Sequence, residues 1–460
     1  MPLIASVSGI RGTIGGKPGK GLTPDDVVAF CSSYADRLKK HQMWPRVVIG
    51  RDGRISGLSI ATLVKEVMVA HGIEVIDIGL ATTPTTAMAV PYLGAHGGII
   101  ITASHNPQEW NALKLLDANG EFLSPTEGEH VVRAARNHHY EYVPLEQWGT
   151  SYRKDSAALE HHISSILQHP LVRIENIRKQ RFHVILDAIN SVGSIALPPL
   201  LEALGVSVEV INSEVTGKFA HTPEPLPEHL QELSNRVRAT KAVLGLAVDP
   251  DADRLVLVDE NGEFPGEEYT LVMVADYVLR HAPGPTVSNT ASTSALREIS
   301  RRHGQPHYES AVGEWHVVQK MKEVNATIGG EGNGGIIDPR LHYGRDALIG
   351  TALILSHLAQ TNETLSAWRS RMPDFFMSKE KIPLQSPGQA DELIEALRAA
   401  FSKSYPISEL DGLKIYFDQG WVLLRKSNTE PIIRIIAEAT TPKALEQYLL
   451  LIQQTLTIKQ

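Results

Sequence analysis

Apolar and polar positions along this chain come in blocks, and the order of blocks repeats. The apolar run RVVIG (46–50) gives way to the polar loop RDGRISG, a helix-spaced stretch SIATLVKEVMVA, Gly72 and the alternating segment IEVIDIG. HVILDA (183–188) leads in the same way to INSVGS, a helix ending near Ala203, Gly205 and VSVEVIN. PTVSNT (285–290) leads to ASTS, the helical ALREISRRHG and an extended piece toward Val312. Strand, polar loop, helix, glycine stop and strand make a βαβ unit, and Gly72, Gly205 and Gly304 stand where a helix C-terminus wants positive φ. Three widely spaced copies predict three α/β domains with mixed, mostly parallel sheets. The end of the chain differs. LKIYFDQGWVLLRKS (413–427) reads as two strands about a Gln-Gly turn, IIRIIAEA (432–439) as a third, and PKALEQYLLLIQQTL (442–456) as an amphipathic helix. This predicts a smaller C-terminal α+β domain. The expected division is 1–150, 151–260, 261–372 and 373–460.

Length agrees, since 460 residues exceed one core at roughly 150 residues per domain. Composition adds exclusions. A net charge of −8 argues against a general nucleic-acid binder, and the single cysteine, Cys31, excludes an internal disulfide and a cysteine-based zinc site. The start MPLIASVSGIRGTIGG has no basic segment followed by a long apolar run, and no stretch approaches the ~18 apolar residues of a membrane span. A cytoplasmic protein without membrane or nucleic-acid partners is the expectation. RAARNHHYEY (133–142) reads as solvated surface.

The sharpest chemical signal is AVLGLAVDPDADRLVLVDENG (242–262). In extended backbone Asp249, Asp251 and Asp253 would point the same way, and three like charges converge only around a cation. Oxygen ligands suit Mg²⁺ or Ca²⁺. A solvated acidic turn is the plainer reading, disfavoured by two apolar flanking strands and by Arg254. In ITASHNPQEWNALKL (101–115), Thr102, Ser104 and Asn106 could simply cap a turn. Ser104 and His105, adjacent and without a Gly-x-Ser-x-Gly elbow, make a poor hydrolase pair. A phosphate carried on Ser104 is the third reading; its charge of about −1.5 to −2 needs a metal and cations, for which Arg11, Lys114 and Arg254 are candidates. LLRKSNTEPIIR (423–434) gathers Arg425, Ser427, Asn428, Thr429 and Arg434 into an anion clamp or, more blandly, a polar hairpin tip. IGGEGNGGII (328–337) offers Glu331 and Asn333 on a glycine-rich loop able to bond hydroxyls, without the lysine and serine of a P-loop.

With these four motifs in this order, the chain resembles the α-D-phosphohexomutase family over nearly its whole length, and looks closest to phosphoglucosamine-mutase-like members. The resemblance implies four domains around a central cleft. It implies a phosphorylated Ser104 with His105 beside it and Arg11 nearby, and metal ligation by Ser104, Asp249, Asp251 and Asp253, with Arg254 following. It gives Lys114 an acid/base role, for which a lysine among cations is expected to have a lowered pKa. Glu331 and Asn333 fall on its sugar loop, and Arg425, Ser427, Asn428, Thr429 and Arg434 on its phosphate loop. Mg²⁺, a hexose 1,6-bisphosphate activator and a phosphosugar partner follow. Many members carry Ser and His where Asn333 and Gly335 stand, and Gln or Met at Gly332. Glu314, after Gly313, could help orient the sugar. A metal-dependent phosphatase and a non-catalytic phosphosugar binder are the alternatives from other classes.

Overall fold

The computed structural model describes residues 3–6, 9–149, 152–384, 386, 388–426 and 432–457. Its strands form four sheets. The first holds β1 (Ile4–Ser6), β2 (Gly9–Thr13), β3 (Arg46–Arg51), β4 (Glu74–Leu80), β5 (Gly97–Ile101), β6 (Trp110–Leu116) and β7 (Tyr152–Lys154), in the order β1-β2-β6-β5-β3-β4-β7. Its β5-β3-β4-β7 half is parallel, as the βαβ pattern predicts, and its β1-β2-β6-β5 half is antiparallel. The second sheet holds β8 (His183–Asp187), β9 (Ser207–Ile211), β10 (Leu244–Val248) and β11 (Leu255–Val258), in the order β11-β10-β8-β9. The third holds β12 (Thr286–Asn289), β13 (His307–Ser310), β14 (Ile328–Glu331) and β15 (Gly335–Ile337), in the order β13-β12-β14-β15. Each of these two is parallel except for one antiparallel edge pair. The fourth, β16 (Phe376–Pro383), β17 (Ile407–Ser408), β18 (Leu413–Phe417), β19 (Gly420–Lys426) and β20 (Ile432–Ala439), runs β16-β20-β19-β18-β17 and is antiparallel throughout.

Local chemistry sets these elements. The helix Pro24–His41 starts at a capping box, Thr23 with Asp26, and has proline in its first turn; Ser124 and Glu127 repeat the device for Pro125–Arg136. Gly72, Gly205 and Gly304 have φ of 77°, 77° and 66°, as their placement after helices requires. In β5 a glycine is needed for a different reason. A Cβ at Gly97 would lie 2.1 Å from the Tyr34 hydroxyl, which donates to the Leu116 carbonyl at 2.5 Å and fastens the first long helix to the sheet. Strand β5 is buried along its whole length, so the chain leaving it at Thr102 emerges from the middle of the fold. No helix among the described residues is long and apolar enough to cross a membrane.

Candidate active site

Three loops meet where the first three sheets adjoin. After β5 the chain turns sharply at Ser104, whose φ of 48° is left-handed and unusual for a residue with a side chain. The turn is held from beneath by Arg54. Its guanidinium donates to the carbonyls of Ser104 (2.5 Å), Asn106 (2.7 Å), Pro107 (2.7 Å) and Trp110 (2.8 Å), and pairs with Asp52 at 3.1 Å. Asp52 also accepts from the Thr102 hydroxyl at 2.6 Å, and Thr102 Oγ1 accepts from the Ser104 amide at 2.9 Å. Arg54 and Asp52 are both buried. The serine is therefore strained and locked, a preorganised presentation of its oxygen. Neither Arg54 nor Asp52 stood out in the sequence, where RDGR looks like any polar loop.

Ser104 Oγ donates to Asp249 Oδ2 at 2.6 Å, across from the first sheet to the loop after β10. Asp249, Asp251 and Asp253 do converge, each offering an oxygen within 4.8 Å of the others. They do not converge by strand alternation, which is a correction to the expectation from spacing. Strand β10 stops at Val248, and Asp249–Arg254 is a tight loop with Ala252 at φ 53°. Asp249 Oδ1 accepts from the amides of Asp253 and Arg254, both at 3.2 Å, so the loop folds around its own first carboxylate. All three aspartates are buried, and Asp251 Oδ1 and Asp253 Oδ1 have no hydrogen-bond partner among the described residues. Burial and the charges of Asp253 and Asp251 push the Asp249 pKa well above the usual carboxylate range. Such frustration fits a divalent cation: convergent buried oxygens, two of them unpartnered, of a donor set that hard ions prefer.

Lys114 projects from β6, donating to Asp251 Oδ2 at 2.7 Å with Asp253 Oδ2 3.6 Å away. Burial works to lower its pKa, but Asp251 and Asp253 outweigh it and the net shift is upward. The expected lowering among cations is thus reversed, because the nearest groups are carboxylates. Burial opposes ionisation of Asp251 too, yet Lys114 and the Thr83 hydroxyl (2.5 Å) hold it below the ordinary range. Arg11 stands on β2 opposite Ala112 of β6, on the face shared with Lys114. Arg254 Nε is 3.9 Å from Asp253 and 4.0 Å from Asp249. His105 Nδ1 lies 3.4 Å from Ser104 Oγ; Arg254, then burial, then Arg11 and Arg345 drive its pKa well below the usual imidazole value.

The glycine-rich segment is the hairpin of β14 and β15, with the Leu255 amide donating to the Gly334 carbonyl at 3.0 Å, so it leans on the strand leaving the aspartates. Glu331 is buried at the end of β14 and accepts from Asn289 Nδ2 (2.8 Å) and the Gly313 amide (3.1 Å). Asn333 closes the turn, its Oδ1 accepting from the Gly335 amide at 3.2 Å. A Cβ at Gly332 would meet Glu268 Oε2 at 1.7 Å, so any side chain there would have to displace the buried carboxylate packed beneath the loop. Sequence reasoning missed Arg345. It joins the loops, reaching Asp253 (2.7 Å), Glu314 (2.8 Å) and Glu331 (3.2 Å). Burial alone would lower its pKa, but these three carboxylates raise it well above the ordinary value. Only its position just before a helix N-cap, Asp346, could have marked it.

Arg425 and Arg434 face each other across β19 and β20. Residues opposite one another on neighbouring strands leave the same face of the sheet, so two cationic side chains start from one spot. Asp411 meets part of that charge: its Oδ2 is 2.9 Å from Arg425 Nε and accepts from the Val312 amide at 2.8 Å. Val312 adjoins Gly313, so Arg425 is tied through Asp411 to the backbone that holds Glu331. Ser427, Asn428 and Thr429 lie outside the described residues.

Comparison with known proteins bears on the whole assembly. The sequence matches the phosphoglucomutase/phosphomannomutase alpha/beta/alpha domain I over residues 3–141, domain II over 160–262, domain III over 266–375 and the C-terminal domain over 380–452. It is 36% identical over 443 residues to a phosphoglucomutase/phosphomannomutase of Thermococcus kodakarensis, spanning 95% of this chain and 96% of that protein. To a phosphoglucosamine/phosphogalactosamine mutase of Sulfurisphaera tokodaii it is 30% identical over 444 residues, spanning 95% and 96%. The crystal structure of a phosphoglucomutase/phosphomannomutase family protein from Burkholderia thailandensis superposes with a TM-score of 0.85 at 25% identity, covering 99% of this chain and 97% of that one.

Proposed function

The chain belongs to the phosphoglucomutase/phosphomannomutase family, and on that premise we propose that it interconverts hexose 1-phosphate and 6-phosphate through a phosphorylated Ser104 and a 1,6-bisphosphate, with glucosamine phosphate as the preferred sugar. The observation that carries the reading is the strained Ser104 with its oxygen 2.6 Å from a buried aspartate triad that has unpartnered oxygens. A metal-dependent phosphatase would share the phosphate carrier and the cation site; family membership, the Glu331 loop and the arginine pair favour transfer to a second sugar oxygen over hydrolysis.

Asp249, Asp251 and Asp253, with an oxygen of the Ser104 phosphate, would hold Mg²⁺, and the ion when bound supplies positive charge against the phosphoryl oxygens. The protein's own residues do the rest. Arg54 and Thr102 fix Ser104 so that little reorganisation precedes transfer. In each half-reaction a P–O bond to one oxygen breaks as one to the other forms. In the first the attacking sugar hydroxyl loses a proton and the departing Ser104 oxygen recovers one. In the second the Ser104 hydroxyl attacks, loses its proton, and the departing sugar oxygen recovers one. Lys114, kept charged by Asp251 and Asp253, is fitted to the acid half of that exchange. Glu331 and Asn333, with Glu314 set beside them by Arg345, would read sugar hydroxyls. Arg425 and Arg434, with Ser427, Asn428 and Thr429, would grip the phosphate that is not reacting, in either orientation of the sugar. The amino-sugar preference rests on the Sulfurisphaera relative, named for a hexosamine phosphate, and on the resemblance of the SGIRGTIGG and sugar-loop segments to such members.

Turnover on glucosamine, glucose and mannose phosphates, with Mg²⁺ and a trace of hexose 1,6-bisphosphate, tests this. The expected outcome is a kcat/KM advantage of ~100-fold for glucosamine phosphate, about 3 kcal/mol. Equal rates would make the protein a broad hexomutase. Free phosphate without isomerisation would overturn the mutase assignment, as would full turnover by Ser104→Ala.

A further inference from the structure

A second group of metal-ligand side chains lies away from the aspartate loop. His162, on the helix Ala157–Leu167, aims Nε2 at Asp346 Oδ2, 2.9 Å away, and His342 aims its own Nε2 at the same oxygen from 3.2 Å. The ligand atoms of all three lie within 4.8 Å of one another. We propose that His162, His342 and Asp346 form a binding site for a transition-metal dication of borderline softness, Zn²⁺ foremost.

The surroundings of His162 and Asp346 are what such a site requires. Metal-ligating imidazoles and carboxylates have their other polar atom anchored by the protein. His162 Nδ1 meets the Thr85 hydroxyl at 2.9 Å, which leaves Nε2 for the ion. Asp346 Oδ1 accepts from the Leu348 amide at 2.7 Å and the Ile349 amide at 3.4 Å, which leaves Oδ2. Tetrahedral Zn²⁺ with ligands at about 2.0–2.1 Å holds its donors roughly 3.3–3.5 Å apart. The two histidine–aspartate separations of 2.9 and 3.2 Å need only a slight opening, and the two histidine nitrogens lie within 4.8 Å of each other. The two rings are nearly perpendicular, at 88°, so their lone pairs can meet at one point without stacking. Two nitrogens and one oxygen select Zn²⁺ over Mg²⁺, opposite to the all-oxygen aspartate site. His342, though not His162 or Asp346, lines a cavity of about 550 Å³ with His169, Arg340 and Tyr343, the side from which water would supply a fourth ligand. The group joins elements remote in sequence, and Asp346 directly follows Arg345, the residue that gathers Asp253, Glu314 and Glu331. Metal here would brace the backbone that positions Arg345.

The test is Zn²⁺ binding to the full chain in excess Mg²⁺, followed by equilibrium dialysis and by melting, for the unmodified protein and for His342→Ala. The proposal expects one more Zn²⁺ per chain in the unmodified protein, a Zn²⁺-dependent rise in Tm, and at least ~10-fold weaker binding in the variant. Co²⁺ on the unmodified protein provides a readout that does not depend on the variant's folding: nitrogen-rich four-coordinate cobalt absorbs strongly in the visible, whereas cobalt on the oxygen-only aspartates absorbs weakly. Equal Zn²⁺ uptake by both proteins, or only the weak cobalt spectrum, would overturn the site and leave the histidines as hydrogen-bond partners of Asp346.

Discussion

The junction between the second and third sheets and the junction between the third and fourth are made of different materials. Across the first, one apolar cluster runs without a break from Ile166 and Leu186 through Val272 to Leu353 and Trp368. The fourth sheet keeps its own apolar cluster, from Ala390 to Leu456, and meets the third through polar contacts. Lys414 Nζ donates to the Thr290 carbonyl at 2.7 Å and reaches Glu309 at 3.1 Å. Glu438 accepts from the Ser294 amide (2.9 Å) and from Trp421 Nε1 (2.8 Å), and Lys379 spans Glu267 and Glu268 at 3.0 and 3.1 Å. Apolar interfaces of that extent resist sliding, while polar, hydrogen-bonded ones permit relative motion. The difference suits the proposed mechanism, in which the aspartates and the Glu331 loop would keep fixed distances while the arginine pair would accept a sugar in two orientations.

The sharpest way to probe the rigid side is Asp249→Asn. Asparagine keeps an acceptor for the Asp253 and Arg254 amides and locks in the neutral form toward which burial, Asp253 and Asp251 already push Asp249. Mutase turnover should fall at least ~10⁴-fold, about 5 kcal/mol. The metal-free Tm should hold or rise, and a falling one would contradict the repulsion argument. Arg54→Met comes next. It strands Asp52 in the interior and leaves the four loop carbonyls without their donor, so urea unfolding should show a loss of about 3–5 kcal/mol.

On the polar side, burial pushes Glu268 from 4.5 up to about 7, with Lys379 opposing and Glu267 adding to the shift. Its folded pKa is raised, so its contribution is complete below pH 4.5 and lost as pH rises through about 7. The amplitude is at most about 3 kcal/mol. His307, pushed by burial from 6.5 down to about 3, tilts stability the other way between those two pH values, across much of the same range. The difference in Tm between the unmodified protein and Glu268→Gln across pH 4.5–7 isolates the carboxylate, and a flat difference would contradict the shift. Arg425→Ala should have the smallest effect, a rise in KM of roughly 10-fold, about 1.4 kcal/mol, with the extent of Ser104 phosphorylation the same as in the unmodified protein. A fall in kcat with constant KM would place Arg425 among the reacting groups instead.

The chain's own order of apolar and polar residues determined the three βαβ units, the antiparallel end and the whereabouts of Ser104, the aspartates and Lys114. Such features are local: periodicity, caps and positive-φ glycines act over a few residues. Proximity in space was decided only by tertiary structure. Arg54 clasps carbonyls some 50 residues away in sequence, and Arg345 reaches a carboxylate 92 residues back. Neither residue has a local signature, because an arginine in a polar loop looks the same whether it meets water or a buried carboxylate. The direction of the Lys114 shift was hidden for the same reason. Its sign depends on whether the nearest charge is an aspartate or an arginine, and Coulomb energy falls with distance in space rather than along the chain.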